Sequence, residues 1–290
     1  MISSLPRLAH RAFPALLTAW VGGMLAAAAV PIHAADFADA QLDRAIAGTH
    51  RTAADQARDP YRHPKETLRF FGIQPDQTVI EIAPGAGWYT DILAPFLRDH
   101  GKLYAAHYAA SGPDSSDYRR QGRARYEAKL AANPTLYGKV MVGDLPVRSF
   151  TDIQPPGGAD MVLTFRNIHN WIKDGHLDDS LKAFYDVLKP GGVLGVEEHR
   201  ARPGTSVDQM IATGYVTEAY VIERAQAAGF KLAGRSEINA NPRDTKDYPK
   251  GVWTLPPSYV EGDRDRAKYA AIGESDRMTL KFVKPAAGGK

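Results

Sequence analysis

The chain has no cysteine among its 290 residues. That absence excludes disulfides, zinc–thiolate sites, iron–sulfur clusters and a cysteine nucleophile, and it also excludes a lipid anchor on cysteine. Charge of one sign is equally scarce, since Lys+Arg 36 against Asp+Glu 33 leaves a formal net charge of +3. No basic patch argues for a nucleic-acid partner. There is no Gly-Lys-Ser/Thr phosphate loop, and no His-Glu-x-x-His or other dense ligand spacing that would announce a metal. What is present is an ordinary globular balance, 44% hydrophobic and 24% charged. This excludes disorder of the whole chain and suits one sizeable α/β domain with extensions.

The first 35 residues differ from the rest. Arg7 and Arg11 precede an uncharged stretch from Ala12 to Val30, followed by Pro31 and small residues, with Asp36 the first acid. This is the pattern of a secretory signal at residues 1–35, which makes a periplasmic or secreted location the expectation. The alternative is an uncleaved membrane anchor, because the uncharged stretch approaches the ~20 residues of a bilayer span. Pro14, Gly22 and Gly23 weaken such a span. Once the leader is removed no stable membrane span is expected, and the net charge falls to +1 because two arginines leave with no acids.

Residues 36–58 are Ala-rich and periodic and read as one helix, with a second short helix over Lys65 to Phe71 stopped by Gly72; together, residues 36–72 form a helical cap. Beyond it, apolar strands alternate with helices. Strands are expected at Thr78–Ala83, Lys102–His107, Lys139–Val142, Asp160–Phe165, Val193–Glu197, Phe230–Ser236 and Arg277–Val283. Helices are expected at Tyr89–Leu97, Ser115–Ala132, Leu177–Leu188 and Thr217–Ala228. Such alternation predicts a Rossmann-like, seven-stranded, mostly parallel sheet with helices on both faces over residues 73–290. The last two strands have no helix between them, so the seventh returns antiparallel. The long segment 239–275 carries Tyr248, Trp253, Leu255 and Tyr259, and reads either as a lid at the ligand-binding edge or as a packed surface meander.

Glu81-Ile-Ala-Pro-Gly-Ala-Gly-Trp-Tyr-Thr90 is the most informative stretch. Gly85 and Gly87 follow a strand and open a helix, where glycine lets the backbone turn sharply and approach a ligand. A dinucleotide fingerprint would add a third glycine, where this chain has Thr90, and a ribose-binding acid some 20 residues on, where it has His107-Tyr108. Both absences count against an NAD-linked oxidoreductase.

The segment resembles motif I of the class I S-adenosylmethionine (SAM)-dependent methyltransferases, Asp/Glu-x-Gly-x-Gly-x-Gly. Glu81, Gly85 and Gly87 match and Ala83 replaces the first glycine. The resemblance runs over roughly residues 60–284. It includes Asp144 after the third strand, Phe165-Arg-Asn-Ile-His-Asn-Trp171 after the fourth, and the turn Leu188-Lys-Pro-Gly-Gly-Val193. More narrowly, Tyr61-Arg-His-Pro64, Glu81 to Thr90, Phe165 to Trp171 and Ile272-Gly-Glu-Ser-Asp-Arg-Met278 resemble a group of predicted bacterial methyltransferases that carry signal peptides. The resemblance implies SAM as cofactor, held by Glu81, Ala83, Pro84, Gly85, Ala86, Gly87, Tyr89, His107, Asp144, Leu145 and Asn167. Glu81 suits the ammonium tail, main-chain N–H groups at Gly85–Gly87 its carboxylate, and Asp144 with Leu145 the adenine. The family's ribose-binding acid is missing, and His107 stands in its place.

For catalysis the candidate base is His169, flanked by Asn167 and Asn170, with Trp171 as a pocket wall. Tyr61, Arg62 and His63 are candidates to reach over the cofactor. Glu198 and His199 form a possible acid–base pair. Strand alternation makes one of Glu197 and Glu198 a pocket residue and the other an ordinary polar position. A metal on His169, Glu198 and His199 is not expected. Arg119, Arg120, Arg123 and Arg125 read as a solvated helix face, with an anionic-substrate site as the alternative. The leading functional expectation is a SAM-dependent methyltransferase acting on a small molecule. The competing one is an exported, non-catalytic protein that binds a nucleoside-like ligand with the same fold.

Overall fold

The central strands of this chain, Thr78–Ile82 and Ala159–Phe165 above all, are short and nearly continuously apolar, so they must be covered on both faces. The computed structural model describes residues 1–2, 34–111, 115–145, 149–150 and 153–286. Most of the expected leader, residues 3–33, lies outside them, and no described helix is long and apolar enough to cross a membrane.

Seven strands form one sheet: β1 (Thr78–Ile82), β2 (Lys102–His107), β3 (Met141–Asp144), β4 (Ala159–Phe165), β5 (Leu188–His199), β6 (Lys231–Ser236) and β7 (Arg277–Val283). Their order is β3-β2-β1-β4-β5-β7-β6. The strands from β1 to β5 pair in parallel, whereas β7 runs antiparallel to both β5 and β6 and lies between them. The expected sheet and its antiparallel last strand are therefore present.

Alternation along the strands divides the core into two layers. Ile80, Ile82, Val162, Leu194 and Phe282 face one side, against Leu181, Phe184 and Val221 of the helices Leu177–Val187 and Glu218–Ala227. Val79, Leu103, Met161 and Leu163 face the other, against Leu68, Ile92, Phe96 and Tyr126 of the helices Pro64–Phe71, Thr90–Leu97 and Asp117–Ala132.

The single helix expected over 36–58 is in fact two, with a further turn just beyond them. Ala34–Ile46 stops before Gly48, and Thr52 starts the chain afresh by accepting the N–H of Asp55 at the head of Ala53–Gln56; the further turn spans Asp59–Arg62. Four further helices among the described residues were not anticipated, Pro134–Tyr137 and Arg266–Ile272 among them. Ile168–Lys173 follows β4, and Val207–Thr213 opens on a capping box between Ser206 and Gln209.

The turn after β1 carries three positive φ values, Ala83 at 47°, Gly85 at 62° and Gly87 at 84°. Ala83, where the resembled motif has its first glycine, thus takes a left-handed backbone, at a cost of about 1–2 kcal/mol. Glycine loses roughly 0.5–1 kcal/mol of that advantage to chain entropy. Ala83→Gly is therefore expected to stabilise the protein by about 0.5–1 kcal/mol, roughly 1–4 °C in Tm by calorimetry. A fall in Tm would show that the strain is not at this residue.

Candidate functional site

In an open parallel sheet, ligands gather where the strand order switches direction, here between β1 and β4. A cavity of about 600 Å³ opens at that edge, lined among others by Ala83, Tyr108, Leu145, Asn167, Asn170 and Trp171. A Cβ built on Gly85 would meet nothing within 4 Å, whereas one on Gly87 would press on Tyr126. Gly85 and Ala86 are exposed and Pro84 half-buried, so this part of the turn is open to a ligand. Asn167 anchors the cavity wall by donating its Nδ2 to the Ile82 carbonyl (3.1 Å) and Thr164 Oγ1 (3.2 Å), which ties β4 to the end of β1.

Other residues expected around the cofactor have partners inside the protein. Glu81 is buried beneath the turn, its Oε2 accepting from Thr90 Oγ1 at 2.6 Å. Burial raises its pKa to about 7, against the lowering effect of the Thr90 hydrogen bond. Tyr89 donates its hydroxyl to Glu197 Oε2 (3.0 Å) and stacks on Phe165 with centroids 3.5 Å apart. His107 Nδ1 accepts the N–H of Tyr108 (2.8 Å), which places the ring proton on Nε2, donated to the Gly85 carbonyl (3.0 Å). Burial lowers the His107 pKa and keeps the ring neutral. Both ring nitrogens are thus engaged with the backbone, and His107 braces the glycine turn rather than offering itself to a ribose. Asp144, beside His107 in register, accepts from Arg123 Nη1 at 3.0 Å. Arg123 also reaches the Tyr108 carbonyl and is buried, so the arginine helix is not simply a solvated face.

The catalytic candidates divide between two places. Asn170 lines the cavity. His169, Glu198 and His199 gather beside it, where the helix Ile168–Lys173 meets the end of β5. Glu198 is fully buried and accepts the backbone N–H groups of Ile168 (2.6 Å) and His169 (3.3 Å) on Oε2, and that of His199 (2.8 Å) on Oε1. His169 Nδ1 stands 3.0 Å from the same Oε1. A carboxylate only accepts, so Nδ1 carries the proton and Nε2 keeps its lone pair. That is the arrangement of an oriented general base. His199 Nδ1 lies 2.6 Å from Ser275 Oγ, and burial, with His169 and the arginines described below, lowers its pKa well below the usual value. The ligand atoms of His169, Glu198 and His199 lie within 4.8 Å of one another. A metal here would compete with the four N–H groups that already occupy Glu198.

Neither glutamate of β5 is an ordinary polar position, which corrects the expectation for that pair. Glu197 faces away from Glu198 and is equally buried. It takes Arg166 Nη1 (2.7 Å) and Arg277 Nη1 (2.9 Å) on Oε1, besides Tyr89 on Oε2. Burial works to raise its pKa, but Arg166, Arg277 and Arg62 outweigh that and lower it. Next to it Glu274 takes Arg58 (2.6 Å), Arg62 (3.1 Å) and Arg277 (3.2 Å). Sequence reasoning overlooked this network. Its signal was an Arg or Glu inside each motif that resembles the methyltransferase group: Arg62, Arg166, Glu274 and Arg277.

The segment 239–275 packs over the same edge. It forms a 3-10 turn at Gly251–Thr254 and a helix at Arg266–Ile272, and it brings Trp253 edge-on to His169 with centroids 5.9 Å apart. Leu255 is wholly buried. The segment is thus packed against the domain, with Trp253 against the candidate base.

No protein-family model and no curated protein matches the sequence. Solved structures do match the fold. A SAM-dependent methyltransferase from Aquifex aeolicus aligns over 85% of this chain and 98% of its own, at 15% identity and a TM-score of 0.52. The [4+2]-cyclase SpnF aligns over 86% and 93%, at 18% identity and a TM-score of 0.54. The chain has the fold of the SAM-dependent methyltransferases. At these identities the likeness is one of architecture, and a cyclase shares it.

Buried Glu81 yields a test of the site's electrostatics. Its folded-state pKa of about 7 lies above the unfolded value, so its stabilisation is complete below about pH 4.5 and fades as pH rises through about 7. The decline should approach about 3 kcal/mol, and Glu81→Gln should flatten it in denaturant melts between about pH 5 and about pH 8. An unchanged slope would place the titration elsewhere.

Proposed function

We propose that the protein is a SAM-dependent methyltransferase acting on a small molecule, with His169 as general base. The observation that carries the proposal is the 600 Å³ cavity at the sheet's switch point, lined by Ala83 of the glycine turn and by Asn167 and Asn170, between which His169 is held by Glu198. Its size is that of a small-molecule site, about 300–1,000 Å³. The lining fits an adenosyl ligand without phosphates. Leu145 and Trp171 supply apolar walls, Asn167 and Asn170 polar contacts, and the open turn at Gly85–Ala86 a close backbone approach. When bound, SAM supplies an electrophilic methyl group. The chain's own work is then alignment of the acceptor in line with that methyl, worth up to roughly 7–11 kcal/mol, and removal of the acceptor's proton at His169 Nε2. Glu198 fixes the ring and stabilises it once protonated. The cover over 239–275, with Trp253 on His169, excludes water from this step. The leader pattern makes export part of the proposal.

A second reading, a non-catalytic binding protein of the same fold, is favoured by His107, whose two ring nitrogens are occupied where a ribose grip would be needed. Calorimetric titration with SAM and its demethylated product, S-adenosylhomocysteine, separates the two. Methyl transfer requires both to bind; failure of both at millimolar concentration rejects it. Gly85→Val fills the open side of the turn and strains its φ of 62°, and should abolish that binding; intact binding would move the site elsewhere. With any acceptor that is turned over, His169→Gln should lower kcat by about 10²–10⁴-fold while leaving the affinity for S-adenosylhomocysteine unchanged.

A further inference from the structure

The arginine network holds more positive charge than its own fold neutralises. Four guanidinium groups, Arg58, Arg62, Arg166 and Arg277, face two carboxylates, Glu197 and Glu274. Three of the four are well removed from water, with side chains 4% (Arg62), 17% (Arg166) and 1% (Arg277) exposed. Uncompensated charge at such depth is costly, and it persists where something else brings the counter-charge.

The donors to receive it are in place. Each guanidinium has five N–H groups. Among the described residues, Arg166 commits only Nη1, to Glu197, and Arg62 only Nε, to Glu274, while its planar group lies over the Trp88 ring at 4.6 Å. Arg277 is fully engaged by comparison, bridging Glu197, Glu274 and the Tyr61 carbonyl. The mutual repulsion registers on Arg62, whose pKa burial and then Arg166 bring down to about 9. Arg166 sits at φ 62° and His63 at φ 40°, strained backbone of the kind that gathers at ligand sites.

Position connects the cluster to the chemistry. Arg166 immediately precedes Asn167, which lines the cavity, and Arg166, Arg277 and Arg62 all act electrostatically on His199. The geometry points to a carboxylate-bearing methyl acceptor, whose carboxylate docks on the unused donors of Arg62 and Arg166 while its nucleophile faces His169. This rests on the methyltransferase reading for the word acceptor, but the anion site stands on the arginines alone. Guanidinium forks match the planar carboxylate in pairs of parallel hydrogen bonds, and here each arginine gives Glu197 or Glu274 a single nitrogen, so the second prong of Arg62 and of Arg166 is left for a ligand.

The test uses the full chain, with benzoate as the anionic probe and benzamide as its neutral counterpart, read by calorimetry. Benzoate should bind at least about tenfold more tightly than benzamide, and Arg166→Gln should remove that preference. Because Arg166→Gln also deprives Glu197 of a partner, Arg58→Gln serves as a second variant. Arg58 is partly exposed and Glu274 retains Arg62 and Arg277, so the fold should persist while benzoate affinity drops severalfold. Equal binding of benzoate and benzamide, no binding of benzoate, or affinity unmoved by both variants would overturn the anion site. S-adenosylhomocysteine and its decarboxylated analogue identify the carboxylate's owner. If Arg166→Gln weakens the first as much as it weakens benzoate and leaves the second unaffected, the cluster serves the cofactor and the acceptor proposal falls. If benzoate binds and S-adenosylhomocysteine does not, methyl transfer fails while the carboxylate site remains.

Discussion

One carboxylate, Glu197, ties together side chains from four separate stretches of the chain where β4, β5 and β7 end against the glycine turn. It sits wholly buried at the end of β5 and collects Arg166 from the end of β4, Arg277 from the start of β7 and Tyr89 from the glycine turn. Those contacts fix the turn's far side against the sheet, while His107 fixes its near side through the Gly85 carbonyl. The ligand-facing backbone at Gly85 is thereby held from both sides. Removing one partner of such a buried set leaves an unpaired charge and costs about 3–5 kcal/mol, which makes the carboxylate a structural requirement as much as an electrostatic one.

The neighbouring Glu198 shows how the period-2 geometry of a strand separates two tasks. Glu197 turns to the arginines, and Glu198 turns to the start of the helix Ile168–Lys173, where three backbone N–H groups and His169 converge on it. Two adjacent acids thus serve two environments. In one, a surplus of positive charge surrounds the carboxylate; in the other, the carboxylate holds backbone N–H groups and one imidazole. A site that must both position an anion and accept a proton needs these environments kept apart, and a single pleat does so.

Much of the scaffold was legible because it depends on local pattern. Apolar strands with glycine or proline between them located all seven strands, and the antiparallel run of the last was anticipated on a premise that fails, since the helix Arg266–Ile272 stands before Arg277. The glycine turn was legible through Gly85 and Gly87, and Ala83 takes a left-handed backbone where the resembled motif has its first glycine. The failures are non-local. Arg166 and Glu197, or Arg62 and Glu274, are separated by long stretches of chain, and no periodicity in one segment reveals a partner in another. His107 was read as a ligand contact because its register position suits one; only the three-dimensional placement of Gly85 shows the ring already engaged. The helix over 36–58 failed for a simpler reason, since Gly48 and the Thr52 cap were both visible in the sequence and outweighed by alanine periodicity. The capping box of Ser206 and Gln209 was legible in the same way and passed unnoticed.

The position of β7 between β5 and β6 has a consequence for how the molecule is assembled. Its two neighbours are complete long before Arg277 is reached, yet they cannot pair with each other, because the gap belongs to a strand near the end of the chain. During synthesis the outer edge of β5 therefore stands open, with its row of unpaired N–H and C=O groups, until residues 277–283 emerge. Arg277, Ser275 and Glu274 arrive with that strand. Closing the sheet and completing the buried charge network are thus a single late event, and a nascent chain halted before it would have a glycine turn and Arg166 for Glu197, but neither a finished edge nor the Arg277–Glu274 half of the network.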